Sequence, residues 1–138
     1  MSQSNLDVVQ GLYAAFARGD IGAVLSAFAP DIVWNEAEHN LPLADGNPYI
    51  GPQAVLEGVF MRLGDDFDGF TVVPEHYVAE GDRVVMCGRY TATAKATGLP
   101  VNPQVVHVWT LRDGKATTFQ QHVDTLGMAL ATGRAVLA

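Results

Sequence analysis

The chain has 138 residues, about the size of one domain, and 49% of them are hydrophobic against 17% charged, which excludes a disordered chain and suits a packed core. Eight Lys and Arg stand against fifteen Asp and Glu, a net charge of −7, and the basic residues are scattered, so neither nucleic acid nor an anionic membrane is an expected partner. Cys87 is the only cysteine, which rules out an intrachain disulfide and fits a reducing cytoplasm; residues 1–10 are polar rather than leader-like, and no apolar run reaches the ~20 residues of a membrane span.

In chain order, Leu6, Val9, Tyr13 and Phe16 recur at helical spacing. Ser4 is placed to cap that helix, with Asp7 three residues on, and Gly19 ends it. Asp20 caps a second helix carrying Ile21, Val24, Leu25 and Phe28, which Pro30 stops. A short strand over residues 31–35 follows, then a long connection over 36–51 that holds Glu36, Glu38, His39 and Tyr49. Connections of that length inside a small domain tend to carry function. Pro52 opens a third helix, where its missing N–H costs nothing, and Val55, Leu56, Val59, Phe60 and Leu63 form its apolar stripe.

The second half reads as β-structure. Strands are expected over 70–79, 83–96, 101–111 and 116–123, with Pro74 marking an edge or a bulge. Arg112-Asp113-Gly114-Lys115 is a hairpin turn, and a short helix follows Asp124. Helices followed by sequential strands predict an α+β domain over 1–138, with helices on one face of a mainly antiparallel sheet.

Several segments together resemble the SnoaL-like and ketosteroid-isomerase-like members of the nuclear transport factor 2-like superfamily. They are Tyr13 to Asp20, Phe28 to Trp34, the helix start Gly51-Pro52-Gln53-Ala54-Val55, Ala79 to Val84, and Val106 to Lys115 with Val123-Asp124-Thr125. The resemblance implies a cone-shaped, curved sheet wrapped round three N-terminal helices, with a pocket for a small apolar molecule. It also implies a homodimer through the outer sheet face, at Val106, Val108, Thr118, Gln120 and His122. On the inner face it places His107, Trp109, Phe119, Gln121 and Val123, and on the neighbouring strand Val85, Cys87, Arg89 and Thr91.

The family's catalytic positions are matched only in part. Glu36 falls where the isomerases carry their carboxylate base. Beside Trp34, in an apolar pocket, its charged form would be disfavoured and its pKa raised, tuning it for proton transfer near neutrality. His107 stands where those isomerases carry an aspartic acid, and Leu12 where they carry a tyrosine. Tyr13, one residue on, is about 100° round the helix and is not expected to replace it. Gln121 occupies the position of the catalytic aspartate of SnoaL-like cyclases and of an aspartate of the epoxide hydrolases; Thr91 occupies a second hydrolase aspartate position, beside a matching Arg89. A glutamine hydrogen-bonds but cannot act as an acid or base, so standard cyclase and hydrolase mechanisms are disfavoured.

The expected site is therefore Glu36 and His107 as catalytic groups, with Trp34, Tyr49, Phe60, Arg89, Trp109, Phe119 and Gln121 as ligand contacts. The plainer alternatives are a solvated Glu36, a core His107 with its hydrogen bonds met, and an Arg89 paired with Glu57. Glu36, Glu38, His39 and His107 are acceptable metal ligands by type, yet they form no recognised ligand motif, and neither metal nor cofactor is expected. Two functions stay open: an isomerase- or lyase-type enzyme working on an apolar, cyclic compound, and a binding or accessory module holding a ligand unchanged. A Glu36 and a His107 facing one cavity favour the first. An exposed Glu36, or a His107 satisfied in the core, favours the second.

Overall fold

The computed structural model describes residues 4–138; residues 1–3, the start of the polar N-terminal stretch, lie outside that range. Helix α1 (Asn5–Ala17) starts where the Asp7 N–H donates to Ser4 Oγ at 3.1 Å. Helix α2 (Ile21–Ser26) starts where the Ala23 N–H donates to Asp20 Oδ1 at 3.1 Å. Each side-chain oxygen meets one of the free N–H groups of a first turn. Phe28 does not continue α2. It opens β1 (Phe28–Asn35), because it pairs with Ala116 and its ring packs into the core. The strand thus runs through the exposed Pro30, with its register to the neighbouring strand broken between Phe28 and Val33.

After β1 the connection carries a 3-10 turn (Ala44–Gly46) and the two-residue strand β2 (Tyr49–Ile50), which pairs with β1. The third helix has three parts: α3 (Pro52–Val55), a π-helical turn (Leu56–Phe60) and α4 (Met61–Asp66). Then come β3 (Phe67–Glu80), β4 (Arg83–Ala94), β5 (Pro100–Val101), β6 (Gln104–Arg112), β7 (Lys115–Val123) and α5 (Thr125–Ala131), the last capped by Asp124. The strand expected over 101–111 is split, with Asn102 and Pro103 falling between β5 and β6. The β6–β7 turn has positive φ at both Asp113 and Gly114, the geometry whose twist matches the flanking strands.

The seven strands form one curved, unclosed, mixed sheet in the order β2-β1-β7-β6-β4-β3, with β5 on β4. Among the described residues only the β1–β7 pairing is parallel. Pro74 lies on the edge strand β3 and also at a bulge between Pro74 and His76, so both readings of that proline hold. The core lies between the inner sheet face and the helices, where Val9, Leu12, Val24, Val55, Val59 and Leu63 meet Ile32, Trp34, Val84, Trp109 and Phe119.

Register decides which side chains share that inner face. Met86 pairs with His107, which pairs with Gln121; Val84 pairs with Trp109, which pairs with Phe119; and Phe119 pairs across the parallel ladder with Trp34. Residues directly opposite on neighbouring strands point the same way, so these make two rows across the inner face. The inward residues of β4 are therefore Val84, Met86, Gly88 and Tyr90, all buried. This corrects the expectation for that strand: Val85, Cys87, Arg89 and Thr91 lie on the opposite face. Arg89 donates from Nη1 to the Asn102 carbonyl at 2.8 Å and does not pair with Glu57. Cys87 is half-buried on that outer side. Val106, Val108, Thr118, Gln120 and His122 also face outward, as expected.

Candidate functional site

Helices α1 and α4, the π turn, the inner sheet face and the 36–51 connection enclose a cavity with about 60 Å³ of room for the centre of a water molecule. One water needs about 10–15 Å³ by the same measure, so the space takes more than a single solvent molecule. Its wall is rich in aromatic rings. Trp34 and Phe119 stack with ring centroids 3.7 Å apart, Phe60 meets Trp34 edge-on at 5.6 Å, and Trp109 meets Phe119 at 4.7 Å. These four residues are core and cavity wall at once.

Glu36 stands just past the end of β1, in the cavity wall, and is 3% exposed. Trp34 Nε1 donates to Glu36 Oε2 at 3.3 Å. The Asn47 side chain holds the Glu36 backbone on both sides, accepting from its N–H and donating to its carbonyl, each at 2.9 Å. Burial pushes the carboxyl up from 4.5 to about 7, with the Trp34 hydrogen bond and the Arg62 charge pulling the other way. Its ionisation is thereby moved up toward neutral pH.

His107 is 4% exposed and sits between two phenols. Tyr13 Oη lies 2.6 Å from its Nδ1, and Tyr90 Oη lies 2.5 Å from its Nε2. Burial holds its pKa down from 6.5 to about 3, so the ring is neutral through the physiological range. Trp109 Nε1 donates to Tyr13 Oη, and Gln121 Nε2 donates to Tyr90 Oη, both at 2.8 Å. Burial raises the pKa of both tyrosines, and at Tyr90 the Glu36 charge adds to the effect.

Tyr13, neutral His107 and Tyr90 carry three exchangeable protons between them and share two hydrogen bonds. Trp109 and Gln121 only donate into the chain, so they absorb none of the three. One phenolic proton is left to donate elsewhere. It belongs to Tyr90 if His107 is protonated on Nε2, and to Tyr13 if it is protonated on Nδ1. Both tyrosines line the cavity.

Of the residues expected to meet a ligand, Trp34, Glu36, Phe60, His107, Trp109, Phe119 and Gln121 come together in this wall. Arg89 does not, being on the far face of β4. Tyr49 does not line the cavity either. It packs beneath the connection, donating to the Leu43 carbonyl at 2.7 Å, with Gly46 and Gly58 pressed against its ring. Arg62 completes this clasp through Asp45 Oδ1 at 2.7 Å and the Pro42 carbonyl. The aspartate is held below its ordinary pKa, first by the Arg62 hydrogen bond.

Tyr13, Tyr90 and Asn40 also line the cavity, and the sequence reading missed them. Tyr13 was set aside because Leu12 occupies the family's position, yet both side chains reach the wall. Tyr90 was lost with the phase of β4. Asn40 sits in the connection, where no periodicity marks a buried residue. Glu38 and His39 are exposed, and among the described residues no three His, Cys, Asp or Glu side chains converge as a metal-binding group. No described helix is long and apolar enough to cross a membrane.

Comparison with known proteins gives a match to the SnoaL-like domain over residues 9–119. No curated protein sequence matches the chain. Among solved structures, an NTF2-like protein from Burkholderia thailandensis E264 is 35% identical, with TM-score 0.89, covering 94% of this chain and 98% of that one. An NTF2-like protein of unknown function from Burkholderia pseudomallei K96243 is 29% identical, with TM-score 0.86, covering 95% and 98%. TerC, co-crystallised with polyporic acid, is 28% identical, with TM-score 0.83, covering 94% and 98%.

Proposed function

The chain belongs to the SnoaL-like domain family, and from that premise we propose that it moves a proton on a small, largely apolar, cyclic compound with Glu36 as the acid/base group. The observation that carries this reading is the Glu36 carboxyl, buried in an aromatic wall and raised to about 7. A group poised there both takes and returns a proton near neutral pH, and positioned acid–base catalysis typically contributes 10²–10⁴-fold. The spare phenolic proton of the Tyr13–His107–Tyr90 chain supplies a donor for an oxygen that gains charge as the proton leaves carbon. His107, neutral and bonded at both ring nitrogens, acts in this reading by fixing the two phenols. Gln121 and Trp109 orient the same hydroxyls, while Phe60, Phe119 and Trp34 provide the apolar contact. A relative co-crystallised with polyporic acid supports a pocket for an organic ligand.

The test uses exchangeable carbon-bound protons. A panel of compact cyclic ketones, 2-tetralone among them, is incubated with the protein in D₂O, and deuterium uptake beside the carbonyl is followed by NMR. The protein should accelerate exchange on at least one ketone, with a rate that rises through pH 7 as Glu36 ionises. Glu36→Gln should lose roughly 10²-fold or more of that rate while binding the ketone within a few fold. Equal exchange by the variant sinks the proposal. A second reading, a module that binds without converting, is favoured by one observation: both His107 nitrogens already have protein partners. Under it no ketone exchanges, and a bound ligand is recovered unchanged after long incubation.

A further inference from the structure

The amide groups at the connection end of the cavity have a polarity that follows from one backbone bond. The Ala37 N–H donates to Gln121 Oε1 at 3.1 Å. A backbone N–H cannot become an acceptor, so the oxygen of Gln121 must point there and its Nε2 must point to Tyr90. Asn40 also contacts Gln121 Oε1 at 3.1 Å, and only its Nδ2 can make that contact favourably. The orientation of Asn40 is thereby fixed. Its Oδ1 is left as an acceptor, closed off from bulk solvent and without a protein partner among the described residues. Asn40 is 1% exposed and lines the cavity. A buried acceptor with no donor is costly, which makes it a place where a ligand with the right group gains more than an ordinary hydrogen bond.

We propose that Asn40 sets specificity by accepting a hydrogen bond from a hydroxyl on the ligand, so that the compounds taken are hydroxylated cyclic carbonyls rather than their deoxy counterparts. The ligand then presents two complementary groups. Its hydroxyl meets Asn40 Oδ1, and its carbonyl meets the spare phenolic proton at Tyr13 or Tyr90. The inference rests on the small-molecule reading of the cavity given above and adds the polarity of what enters it.

The probes are acetophenone and its 3- and 4-hydroxy derivatives, titrated against the full chain with Trp34 and Trp109 fluorescence as the signal. At least one hydroxy isomer should bind wild type about tenfold tighter than acetophenone, as expected when a buried orphan group gains its partner. In Asn40→Leu that ratio should fall to within about twofold while acetophenone still binds, which shows the pocket intact; in Glu36→Gln the ratio should persist. Because the ratio is taken within each protein, a general loss of affinity does not imitate the effect. A measurement on wild type alone guards against a variant that fails to fold. The Asn40 side-chain amide resonance should move with the hydroxy probe and not with acetophenone.

Equal binding of all three probes to wild type overturns the inference and leaves the pocket reading standing. So does a ratio that survives Asn40→Leu, or one that disappears in Glu36→Gln, where the carboxyl would be the true acceptor. No binding of any probe up to its solubility overturns both.

Discussion

Replacing Glu36 by Gln tests its environment without any substrate. A carboxyl raised from 4.5 to about 7 on folding is more costly to ionise in the native state than in the unfolded one. The stabilisation it gives is fully present below the unfolded value and is lost as pH rises through the folded value. The shift corresponds to about 3 kcal/mol, at ~1.4 kcal/mol per unit; the group is 3% exposed, so solvent screening takes little from it. His107 works in the opposite direction. Its pKa falls from 6.5 to about 3, so its contribution is complete above the unfolded value and fades as pH drops toward the folded one. In wild type the two slopes oppose each other over the shared window and nearly cancel. Glu36→Gln removes one of them. Urea unfolding, followed by tryptophan fluorescence at several pH values from about 4.5 to 7.5, should show the variant gaining about 3 kcal/mol on wild type across that range. Because the comparison is variant minus wild type, the histidine cancels. Parallel stability curves for the two proteins would refute the buried, raised carboxyl and the proton-transfer reading built on it.

Two further substitutions probe the surroundings of the site. Gly58→Ala lies within a helical segment, where propensity alone predicts a gain of up to about 1 kcal/mol. The added Cβ, however, would stand 2.1 Å from Tyr49 Cε1. Thermal unfolding should therefore show a loss of about 1–3 kcal/mol, and a raised midpoint would mean that Tyr49 is not docked there. Arg89→Ala should leave hydroxyacetophenone affinity unchanged within about twofold, since its side chain lies across the sheet from the cavity; a large loss would reverse the face assignment of β4.

The fold and the polar heart of the cavity wall, Glu36, His107 and Gln121, were legible in the residues, for identifiable reasons. Ser4, Asp20 and Asp124 each cap a helix through a side-chain oxygen, a signal written in local chemistry. The turn at Arg112 to Lys115 pins β6 to β7, so the inward phase of His107, Trp109, Phe119 and Gln121 that the resemblance implied carried over intact. β4 lacks such a pin. Val84 and Met86 on one phase are no more apolar than Val85 and Cys87 on the other, so alternation did not mark the inward phase, and the expectation fell one residue off. A slip of one residue inverts every side chain, and this one concealed Tyr90. Gly88 held the missing information: a Cβ there would meet the Val73 carbonyl oxygen at 2.2 Å, where β3 presses close beside its bulge. Asn40 was out of reach for another reason. Its burial depends on Gln121, eighty-one positions away, and no local pattern announces a contact at that range.

The single spare proton in the Tyr13–His107–Tyr90 chain has a consequence for how the cavity adapts. Moving it from one phenol to the other reverses both hydrogen bonds and switches the His107 tautomer, one proton leaving at one end of the chain as another enters at the other. No heavy atom has to travel. The wall therefore behaves as a short wire with a donor available at either terminal, and the incoming oxygen selects the terminal by where it lies. Two regioisomers with a carbonyl near different ends can be met by the same rigid aromatic box. Discrimination between them then falls to groups whose polarity cannot reverse, and the backbone-fixed amides of Gln121 and Asn40 are of that kind.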